Sequence, residues 1–402
     1  MLKVHFLGIG GSGASAAAAL AKGQGFEITG CDLDIDNEFT IPFNKNQLFK
    51  GHSPGHLKDI DILAVTPAIY SLDPNNPELI AAKENEIPVM TWQQFLGEYL
   101  TKDKFVIAVC GTHGKTTTNA MIAKLLEDAD LDPTVVLGGI VPWWGTNYKI
   151  GKGKYFVVEA DEFNDNFLYF KPDITVVTNI EMDHPEYFKD FAAVKKSFAK
   201  FKKQSKKVID KPNPRLIKFK LKVPGKFNVA NASLTYQVGE TLGFDPKVIR
   251  QSLANYQGVS RRFEYIGKFK GAKVYSDFGH HPTEIKVTIE AAREKFPNSR
   301  ILLIYQPHMF SRTKALFDDF VTTFQNLPAD KIFIMDIYPS REIDTGLVTS
   351  KQLVEAVNKP SVFYVGKNVL ERIKKEVQDG DILFFMSAGD TDKLAKQLLL
   401  SQ

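Results

Sequence analysis

Residues 105–118 read FVIAVCGTHGKTTT, an apolar run followed by a glycine loop, a lysine and three threonines. The run Phe105–Val109 lacks the alternation of a half-exposed strand, which predicts a strand covered on both faces of a parallel sheet. Gly111 and Gly114 let the loop backbone approach a ligand, and a helix is predicted to follow at Asn119–Ala129. A strand, a glycine loop and a helix in this order are typical of a phosphate-binding unit in an α/β protein.

The side chains of this loop suit ATP. Lys115 supplies a point charge for the β- and γ-phosphates, and Thr116 offers a hydroxyl oxygen to Mg²⁺. Val109 stands where the common nucleotide-binding pattern has its first glycine, but the strand and helix on either side favour a functional loop over a chance match. The predicted ATP-binding residues of the loop are Gly111, Thr112, His113, Gly114, Lys115, Thr116 and Thr117.

Acidic residues follow two later strands, predicted at Tyr155–Glu159 and Ile174–Thr178. The carboxyl ends of neighbouring parallel strands meet at one edge of a sheet, where open α/β sheets bind their ligands. Carboxylates there can hold the Mg²⁺ that accompanies ATP, and Glu159 is the favoured ligand. For Glu181 and Asp183 individually, a role as a helix cap or a solvated rim residue is favoured.

A second glycine turn follows the strand predicted at Lys3–Leu7. Residues 8–13 read GIGGSG, fit the dinucleotide-binding fingerprint, and lead into the alanine-rich helix Ala14–Ala21. Asp32 follows the second predicted strand, where an acid that binds a ribose would lie. A single fingerprint leaves NAD, FAD and another pyrophosphate, such as a UDP-sugar, open as ligands.

A third α/β unit is predicted from about Gly258 onward, with one of its helices at Lys314–Phe324. The segments Asp277–Thr283 and Gln306–Thr313 each follow a strand and carry histidine or arginine. An arginine such as Arg312 can grip a carboxylate through two parallel hydrogen bonds. His280 and His281 are equally compatible with a plain helix N-terminus whose imidazoles are hydrogen bonded.

Composition limits the possible classes. A chain of 402 residues exceeds what one core usually supports, and 44% hydrophobic with 24% charged residues excludes a disordered protein. The net charge of +4 permits anionic small substrates but is too small for a nucleic-acid-binding surface. Without a bilayer-length apolar run or a secretory signal, we expect a cytoplasmic protein that binds neither nucleic acid nor membrane. The two cysteines predict no disulfide framework.

Taken in order, these motifs resemble the Mur ligases of peptidoglycan synthesis, and the likeness covers nearly the whole chain. Besides the two glycine turns, it is carried by the segments 51–69, 138–147, 159–162, 178–184, 228–232, 261–264, 279–284 and 306–308. The resemblance implies three α/β domains: a Rossmann-like UDP-sugar-binding domain at residues 1–100, a central ATP-binding domain with a mostly parallel sheet at 101–257, and a Rossmann-like amino-acid-binding domain at 258–402.

The resemblance also implies the reaction and the site. ATP would convert the lactyl carboxylate of UDP-N-acetylmuramate to an acyl phosphate, and the amine of L-alanine would then displace phosphate to form an amide. The enzyme would be a monomer or a homodimer. The implied UDP-sugar-binding residues are Gly8, Gly10, Gly11, Ser12, Gly13, Asp32, His52, Thr66, Thr146 and Asn147. Asn228, Asn231 and Arg262 would join the loop in binding ATP, Thr116, Glu159 and His184 would hold Mg²⁺, and Lys115, Glu159, His184, His280 and Arg312 would be catalytic.

Three departures from the family pattern leave alternatives open. Phe227 replaces a histidine, the central region is short, and Met309 stands where alanine-adding members have an arginine. Glu162-Phe163-Asn164 leans towards the related ligase that recycles a tripeptide onto the same UDP-sugar. A nucleotide-binding relative without turnover is a further alternative, whereas a nicotinamide oxidoreductase would leave the phosphate loop unexplained.

Overall fold

The computed structural model describes residues 1–185, 187–340 and 342–401. The chain divides into two compact units. The first comprises Met1–Ile180, Ala192–Pro212 and Leu234–Leu253, and the second comprises Glu181–Phe191, Asn213–Ser233 and Ala254–Gln402. Two sheets belong to the first unit and one to the second, and most of the strand pairs are parallel. The predicted α/β class with three largely parallel sheets is therefore confirmed.

The first sheet has the strand order β3-β2-β1-β4-β5, and all its pairs are parallel. Its elements are β1 (Lys3–Leu7), α1 (Ser12–Gly23), β2 (Glu27–Asp32), β3 (Leu48–Lys50), β4 (Ile62–Val65), α2 (Ile69–Leu72), α3 (Pro77–Glu84), β5 (Val89–Thr91) and α4 (Trp92–Phe95). A turn of π-helix, Leu96–Leu100, extends α4, and short 3₁₀ turns cover Lys45–Gln47 and Pro54–Leu57. The strand order reverses between β1 and β4, and such a switch point is where open α/β sheets bind ligands.

The second sheet has the order β11-β10-β6-β9-β7-β8, in which only the β7–β8 hairpin is antiparallel. Its elements are β6 (Phe105–Cys110), α5 (Lys115–Asp128), β7 (Thr134–Val141), β8 (Thr146–Lys149), β9 (Tyr155–Glu159), β10 (Ile174–Val177), α6 (Phe191–Lys203) and β11 (Lys207–Ile209), and α7 (Lys226–Thr241) and α8 (Pro246–Asn255) follow. Short 3₁₀ segments cover Phe163–Tyr169 and Pro214–Leu216. β6 lies between β9 and β10, so the phosphate loop is flanked by the ends of both.

The third sheet has the order β12-β13-β17-β14-β15-β16, with β12 antiparallel to β13. Its elements are β12 (Glu264–Phe269), β13 (Ala272–Asp277), α9 (Pro282–Lys295), β14 (Ile301–Tyr305), α10 (Phe310–Ala315), α11 (Phe317–Asn326), β15 (Lys331–Ile334), α12 (Ser350–Val357), β16 (Val362–Tyr364), α13 (Val369–Glu376), β17 (Ile382–Met386) and α14 (Thr391–Leu400). All residues of β14 and β17 are buried, because apolar clusters cover both sheet faces.

Two predicted helices differ from the structure. α5 begins at Lys115, four residues before the predicted start, because Gly114 takes a left-handed conformation and ends the loop there. The β-branched threonines at 116–118 conceal this first turn from a propensity argument. The single helix predicted at Lys314–Phe324 is two helices, α10 and α11, separated at Leu316. In the described part of the chain, no helix is both long and apolar enough to cross a membrane.

Candidate active site

The phosphate loop joins β6 to α5 and depends on two glycines. Gly111 has φ +128° and Gly114 has φ +81°, values that favour glycine. A Cβ at Gly111 would also overlap with the hydroxyl of Thr178. Both the backbone conformation and the close neighbour therefore require glycine at this position. The predicted loop conformation is present, and it lies at the N-terminus of a 14-residue helix that can face an anion.

Residues that follow β10 hold the loop in place. The backbone N–H of Thr112 donates to Asn179 O at 3.1 Å, and that of His113 donates to Asn179 Oδ1 at 3.0 Å. The carbonyl oxygen of His113 accepts from Thr178 Oγ1 at 2.6 Å and from Asn179 Nδ2 at 2.9 Å. The neighbouring strand therefore sets the shape of the loop.

Lys115 is paired with Glu162, which follows β9. Its Nζ lies 2.8 Å from Glu162 Oε2 and 3.0 Å from Oε1, and Glu162 is only 2% exposed. Burial by itself would lower the pKa of Lys115, but the carboxylates of Glu162 and Asp161 outweigh it and raise that pKa. The ammonium therefore keeps its charge at the start of α5, where a phosphate would need it.

Thr116 and Glu159 offer a pair of oxygen atoms beside the lysine that could act as ligands of a metal ion. Thr116 Oγ1 donates to Glu159 Oε1 at 3.0 Å, and Gly138 N donates to Glu159 Oε2 at 2.7 Å. Cis ligands of an octahedral Mg²⁺ are about 2.9 Å apart, since Mg–O distances are about 2.0–2.1 Å. The spacing of these two oxygens therefore fits one magnesium shell.

The N-terminal glycine turn lies at the switch point of the first sheet. A Cβ at Gly8, which has φ +88°, would overlap with the methyl group of Thr66 after β4. The N–H of Gly10 donates to Asp32 Oδ2 at 2.9 Å, so Asp32 holds the turn itself. The other oxygen of Asp32 accepts from Asp34 N at 3.2 Å. The structure thus brings the glycines, Asp32 and Thr66 together, as predicted for one ligand site.

The β7–β8 hairpin reaches the start of α1. Asn147 Nδ2 donates to Ser12 O at 2.8 Å and to Leu137 O at 3.2 Å, and Asn147 is buried. Thr146 Oγ1 donates to Tyr148 O at 2.6 Å. His52, another residue predicted to bind the UDP-sugar, contacts Cys31, with its Nδ1 3.3 Å from Cys31 Sγ.

In the second unit, Asp183 and Arg312 form a buried ion pair. Arg312 Nε and Nη2 lie 3.1 and 3.0 Å from Asp183 Oδ1, and the two side chains are 4% and 9% exposed. Burial would raise the pKa of Asp183, but the charges of Arg312 and then His184 outweigh it and lower that pKa. The suggestion that Asp183 only caps a helix or lies on the rim is wrong, since it compensates a buried arginine.

The charges of Arg312 and Asp183 both act on the imidazole ring of His280. Its Nδ1 is 3.2 Å from the carbonyl oxygen of Phe278. Because a carbonyl only accepts, Nδ1 carries the proton and Nε2 of the neutral ring is an acceptor. Burial first, and then the positive charge of Arg312, lower the pKa of His280 to about 4.

We expect the His280 ring to stay neutral at neutral pH and to titrate with a midpoint near pH 4, well below the ordinary value of about 6.5. Nitrogen-15 NMR of histidine-labelled protein would follow the ring, with the signal assigned by its loss in His280→Gln. Arg312→Gln should move the midpoint upward, because it removes the charge that opposes protonation. A midpoint near 6.5 in the unsubstituted protein would contradict the buried environment.

The adjacent histidine has a structural role. His281 is the N-cap of α9, where its Nδ1 accepts from Thr283 N at 3.2 Å and the Glu284 carboxylate accepts from His281 N at 3.3 Å. The helix-terminus interpretation is therefore correct for His281, whereas His280 precedes the cap.

Four further predicted site residues belong to the second unit, namely His184, Asn228, Asn231 and Arg262. The backbone N–H of His184 donates to Asp183 Oδ1 at 2.8 Å, and Arg262 Nη1 lies 3.6 Å from Glu284 Oε1. At the start of α7, Asn228 Nδ2 donates to Pro224 O at 2.7 Å, and Asn231 is buried one turn later. Their roles in binding Mg²⁺ and ATP stay predictions.

Met309 has an unusual backbone. Its φ is +70°, it is 1% exposed, and its N–H donates to Tyr338 O at 2.8 Å. A left-handed conformation is rare for a long side chain and needs support from its surroundings. Its carbonyl oxygen accepts from Thr313 Oγ1 at 2.8 Å, which helps to fix the turn that leads to Arg312.

Comparison with known proteins decides the family. A UDP-N-acetylmuramate–L-alanine ligase of Clostridium acetobutylicum is 34% identical over an alignment 454 positions long, which covers 99% of this chain and 97% of the relative. The chain belongs to the Mur ligase family. Family models match this Mur ligase as the "Mur ligase family, catalytic domain" at residues 3–104, the "Mur ligase middle domain" at 109–209 and the "Mur ligase, glutamate ligase domain" at 261–389. The resemblance inferred from the motifs is thereby confirmed.

Solved structures share the fold of this Mur ligase. The UDP-N-acetylmuramate–alanine ligase of Thermotoga maritima superposes with a TM-score of 0.81 at 26% identity, covering 100% of this chain and 99% of that one. A murein peptide ligase of Psychrobacter arcticus superposes with a TM-score of 0.70 at 22% identity, covering 100% and 98%. The fold is thus common to ligases with different acceptors.

Sequence reasoning missed several partners of this Mur ligase's site residues. Glu162, an acid that follows the strand β9, pairs with Lys115, and Asp183 pairs with Arg312. Asn179 shapes the phosphate loop from the next strand. Their position at strand ends was the available signal, and it could not say which side chain each one meets.

Proposed function

We propose that this chain is an ATP-dependent ligase that joins the lactyl carboxylate of UDP-N-acetylmuramate to L-alanine. The observation that carries the proposal is the edge of the second sheet, where charged Lys115 lies beside the Thr116–Glu159 oxygen pair at one helix N-terminus. The substrates come from the names of full-length relatives such as that of Clostridium acetobutylicum. A cytoplasmic location and a monomeric or homodimeric state are part of the proposal.

The phosphate loop supports the first step. The carboxylate oxygen of the UDP-sugar would attack the γ-phosphorus of ATP, the bond to the β-phosphate oxygen would break, and ADP would leave. Lys115 and the N–H groups at the start of α5 are suited to hold the negative charge of the phosphates. Thr116 and Glu159, with His184 as a further predicted ligand, would hold Mg²⁺, which neutralises phosphate charge when bound. Asn228, Asn231 and Arg262 are the proposed contacts to the rest of ATP.

The first sheet is suited to the UDP moiety. The glycine turn at residues 8–13 places backbone N–H groups at the N-terminus of α1, where a pyrophosphate is favoured. Thr66 and the Asp32-bound turn lie at the same strand ends. Thr146 and Asn147 come from the hairpin that contacts Ser12, and they are the proposed contacts to the muramyl end.

The second unit is suited to the acceptor. In the second step the amine nitrogen would attack the acyl-phosphate carbonyl, and phosphate would leave. Arg312 would grip the amino-acid carboxylate with donors beyond those that face Asp183, since a guanidinium has five. His280, neutral with an unprotonated Nε2, would accept a hydrogen bond from the amine. We thus assign the UDP-sugar to residues 1–100, ATP to residues 101–257 and the amino acid to residues 258–402.

An acceptor-specificity assay tests the proposal. We expect phosphate release that requires both UDP-N-acetylmuramate and L-alanine, with an amide product seen by mass spectrometry and lower rates with L-serine and glycine. Lys115→Ala serves as the inactive control. Turnover with the tripeptide L-Ala–γ-D-Glu–meso-diaminopimelate alone would instead support the peptide-recycling ligase, towards which Glu162-Phe163-Asn164 leans. ATP binding without phosphate release would support a non-catalytic relative.

A further inference from the structure

Four potential metal ligands meet inside the first unit, on the first sheet and away from the phosphate loop. They are His5 of β1, Cys31 of β2, His56 of the 3₁₀ turn Pro54–Leu57, and Glu78 of α3. Each can offer one donor atom such that all four atoms lie within 4.8 Å of one another. His5, Cys31 and Glu78 are fully buried, and the side chain of His56 is 16% exposed.

Glu78 lies at the centre of this cluster. Its Oε1 is 2.8 Å from His56 Nδ1 and 3.1 Å from Cys31 Sγ, and its Oε2 is 3.2 Å from His5 Nε2. Burial would raise the pKa of Glu78, but the adjacent His5 ring, with the N–H of Ser53, outweighs it and lowers that pKa to about 2. A carboxylate that stays ionised in the interior requires positive charge next to it.

The imidazole rings are held in fixed orientations. His5 Nδ1 is 2.8 Å from Thr29 Oγ1, while its Nε2 faces the Glu78 carboxylate without the geometry of a hydrogen bond. Metal-bound histidines commonly use their other ring nitrogen in such an outer contact. His56 stacks on Phe49 with ring centroids 4.4 Å apart. A buried nitrogen facing a carboxylate in this way needs either a proton or a cation between them.

We propose that His5, Cys31, His56 and Glu78 form a binding site for one zinc ion. A nitrogen, sulfur and oxygen set of four ligands suits tetrahedral Zn²⁺. With Zn–N and Zn–S distances of about 2.0–2.3 Å, neighbouring ligand atoms are roughly 3.3–3.8 Å apart. Around Glu78 Oε1, the distances of 2.8 Å to His56 Nδ1 and 3.1 Å to Cys31 Sγ need only small expansions to reach that spacing, and one donor atom from each of the four residues can be chosen so that all lie within 4.8 Å of one another.

The charges also balance. When Zn²⁺ binds, the Cys31 thiol loses its proton to solvent and a Zn–S bond forms, without any change of oxidation state. One thiolate and one carboxylate then neutralise the ion, and both histidines bind as neutral rings. A metal ion held by Cys31 would stabilise the adjacent glycine turn. The carbonyl oxygen of the same residue accepts from Gly8 N at 2.9 Å and from Ile9 N at 3.2 Å in that turn.

Metal titration of the full chain tests this site. Protein freed of metal by a chelator should take up one equivalent of Zn²⁺ in competition with a chromogenic chelator. Co²⁺ at the same site should give the near-ultraviolet charge-transfer band of a thiolate ligand, which an oxygen-ligated metal beside the phosphate loop cannot produce. Absence of that band in the unsubstituted protein would overturn the proposal and show that a proton compensates Glu78.

Substitutions assign the site. Cys31→Ser should remove the thiolate band and the tight equivalent of Zn²⁺, whereas the control Cys110→Ser, at the other buried cysteine, should retain both. Thr29→Val, which removes only the outer contact to His5, should weaken Zn²⁺ binding roughly 10–100-fold. Circular dichroism checks that each variant is folded. Equal Zn²⁺ affinity in Cys31→Ser and the unsubstituted chain would place the metal elsewhere and refute the assignment.

Discussion

Replacing Lys115 with alanine is expected to stop phosphate release and, at the same time, to destabilise the first unit. Loss of a charge that stabilises the transferring phosphate should lower the rate at least about 10²–10³-fold. The substitution also leaves Glu162, 2% exposed, without the ammonium that lies 2.8 Å from it. Breaking a buried ion pair from one side costs about 3–5 kcal/mol. Phosphate release and thermal melting of the same sample would measure both effects.

A second variant separates the two effects. Lys115→Ala combined with Glu162→Gln removes the uncompensated charge, so its melting temperature should recover while the activity does not. Lys124→Ala is the matched control on the same helix, since its pair with Asp128 is partly exposed and worth less than about 1 kcal/mol. Near-normal phosphate release by the double variant would show that the loop does not act through Lys115.

Replacing Arg312 with glutamine is expected to have the second-largest effect. Asp183, 9% exposed, would lose two contacts of 3.0 and 3.1 Å to the guanidinium, at a cost of about 3–5 kcal/mol. Adding Asp183→Asn should restore most of that stability. It should not restore the apparent affinity for L-alanine, because Arg312 is the proposed contact to the acceptor carboxylate. The KM values for L-alanine and ATP, measured separately, report on this difference.

The same pair predicts a dependence on pH. Since the pKa of Asp183 is lowered in the folded chain, its stabilising contribution is present at neutral pH and is lost as the pH falls below about 4. The Asp183→Asn/Arg312→Gln variant should therefore lose less stability than the unsubstituted protein in acid melting experiments. Arg372→Gln, which removes a pair between half-exposed Arg372 and the less exposed Glu376, is the control and should behave like the unsubstituted chain. Identical acid profiles for all three would contradict the assignment to Asp183.

Much of the fold could be predicted because its signals are local. The strands β6 and β14 are continuous apolar runs, and such runs indicate strands covered on both faces. Short strands such as β8, β11 and β16, with three or four residues each, gave no signal of their own. β11 and β16 form because β10 and β15, which lie well before them in the chain, provide their hydrogen bonds, whereas β8 pairs with β7 in a hairpin.

The site could be predicted in part for the same reason. The loop glycines, Lys115 and Thr116 are adjacent in sequence, and their spacing reflects a backbone requirement that any strand–loop–helix unit must meet. Asn147, by contrast, donates to Ser12 O across 135 positions of the chain. Sequence spacing gives no distance for such a pair.

A glycine loop built for phosphate, a second glycine turn and largely parallel sheets are all written into the amino-acid sequence, because each follows from steric and hydrogen-bonding rules within a few residues. Which charges compensate one another is set by the folded chain. Lys115 meets Glu162, Arg312 meets Asp183, and Glu78 meets two histidines and a cysteine. Burial makes those pairings strong, and burial is a property of the folded chain.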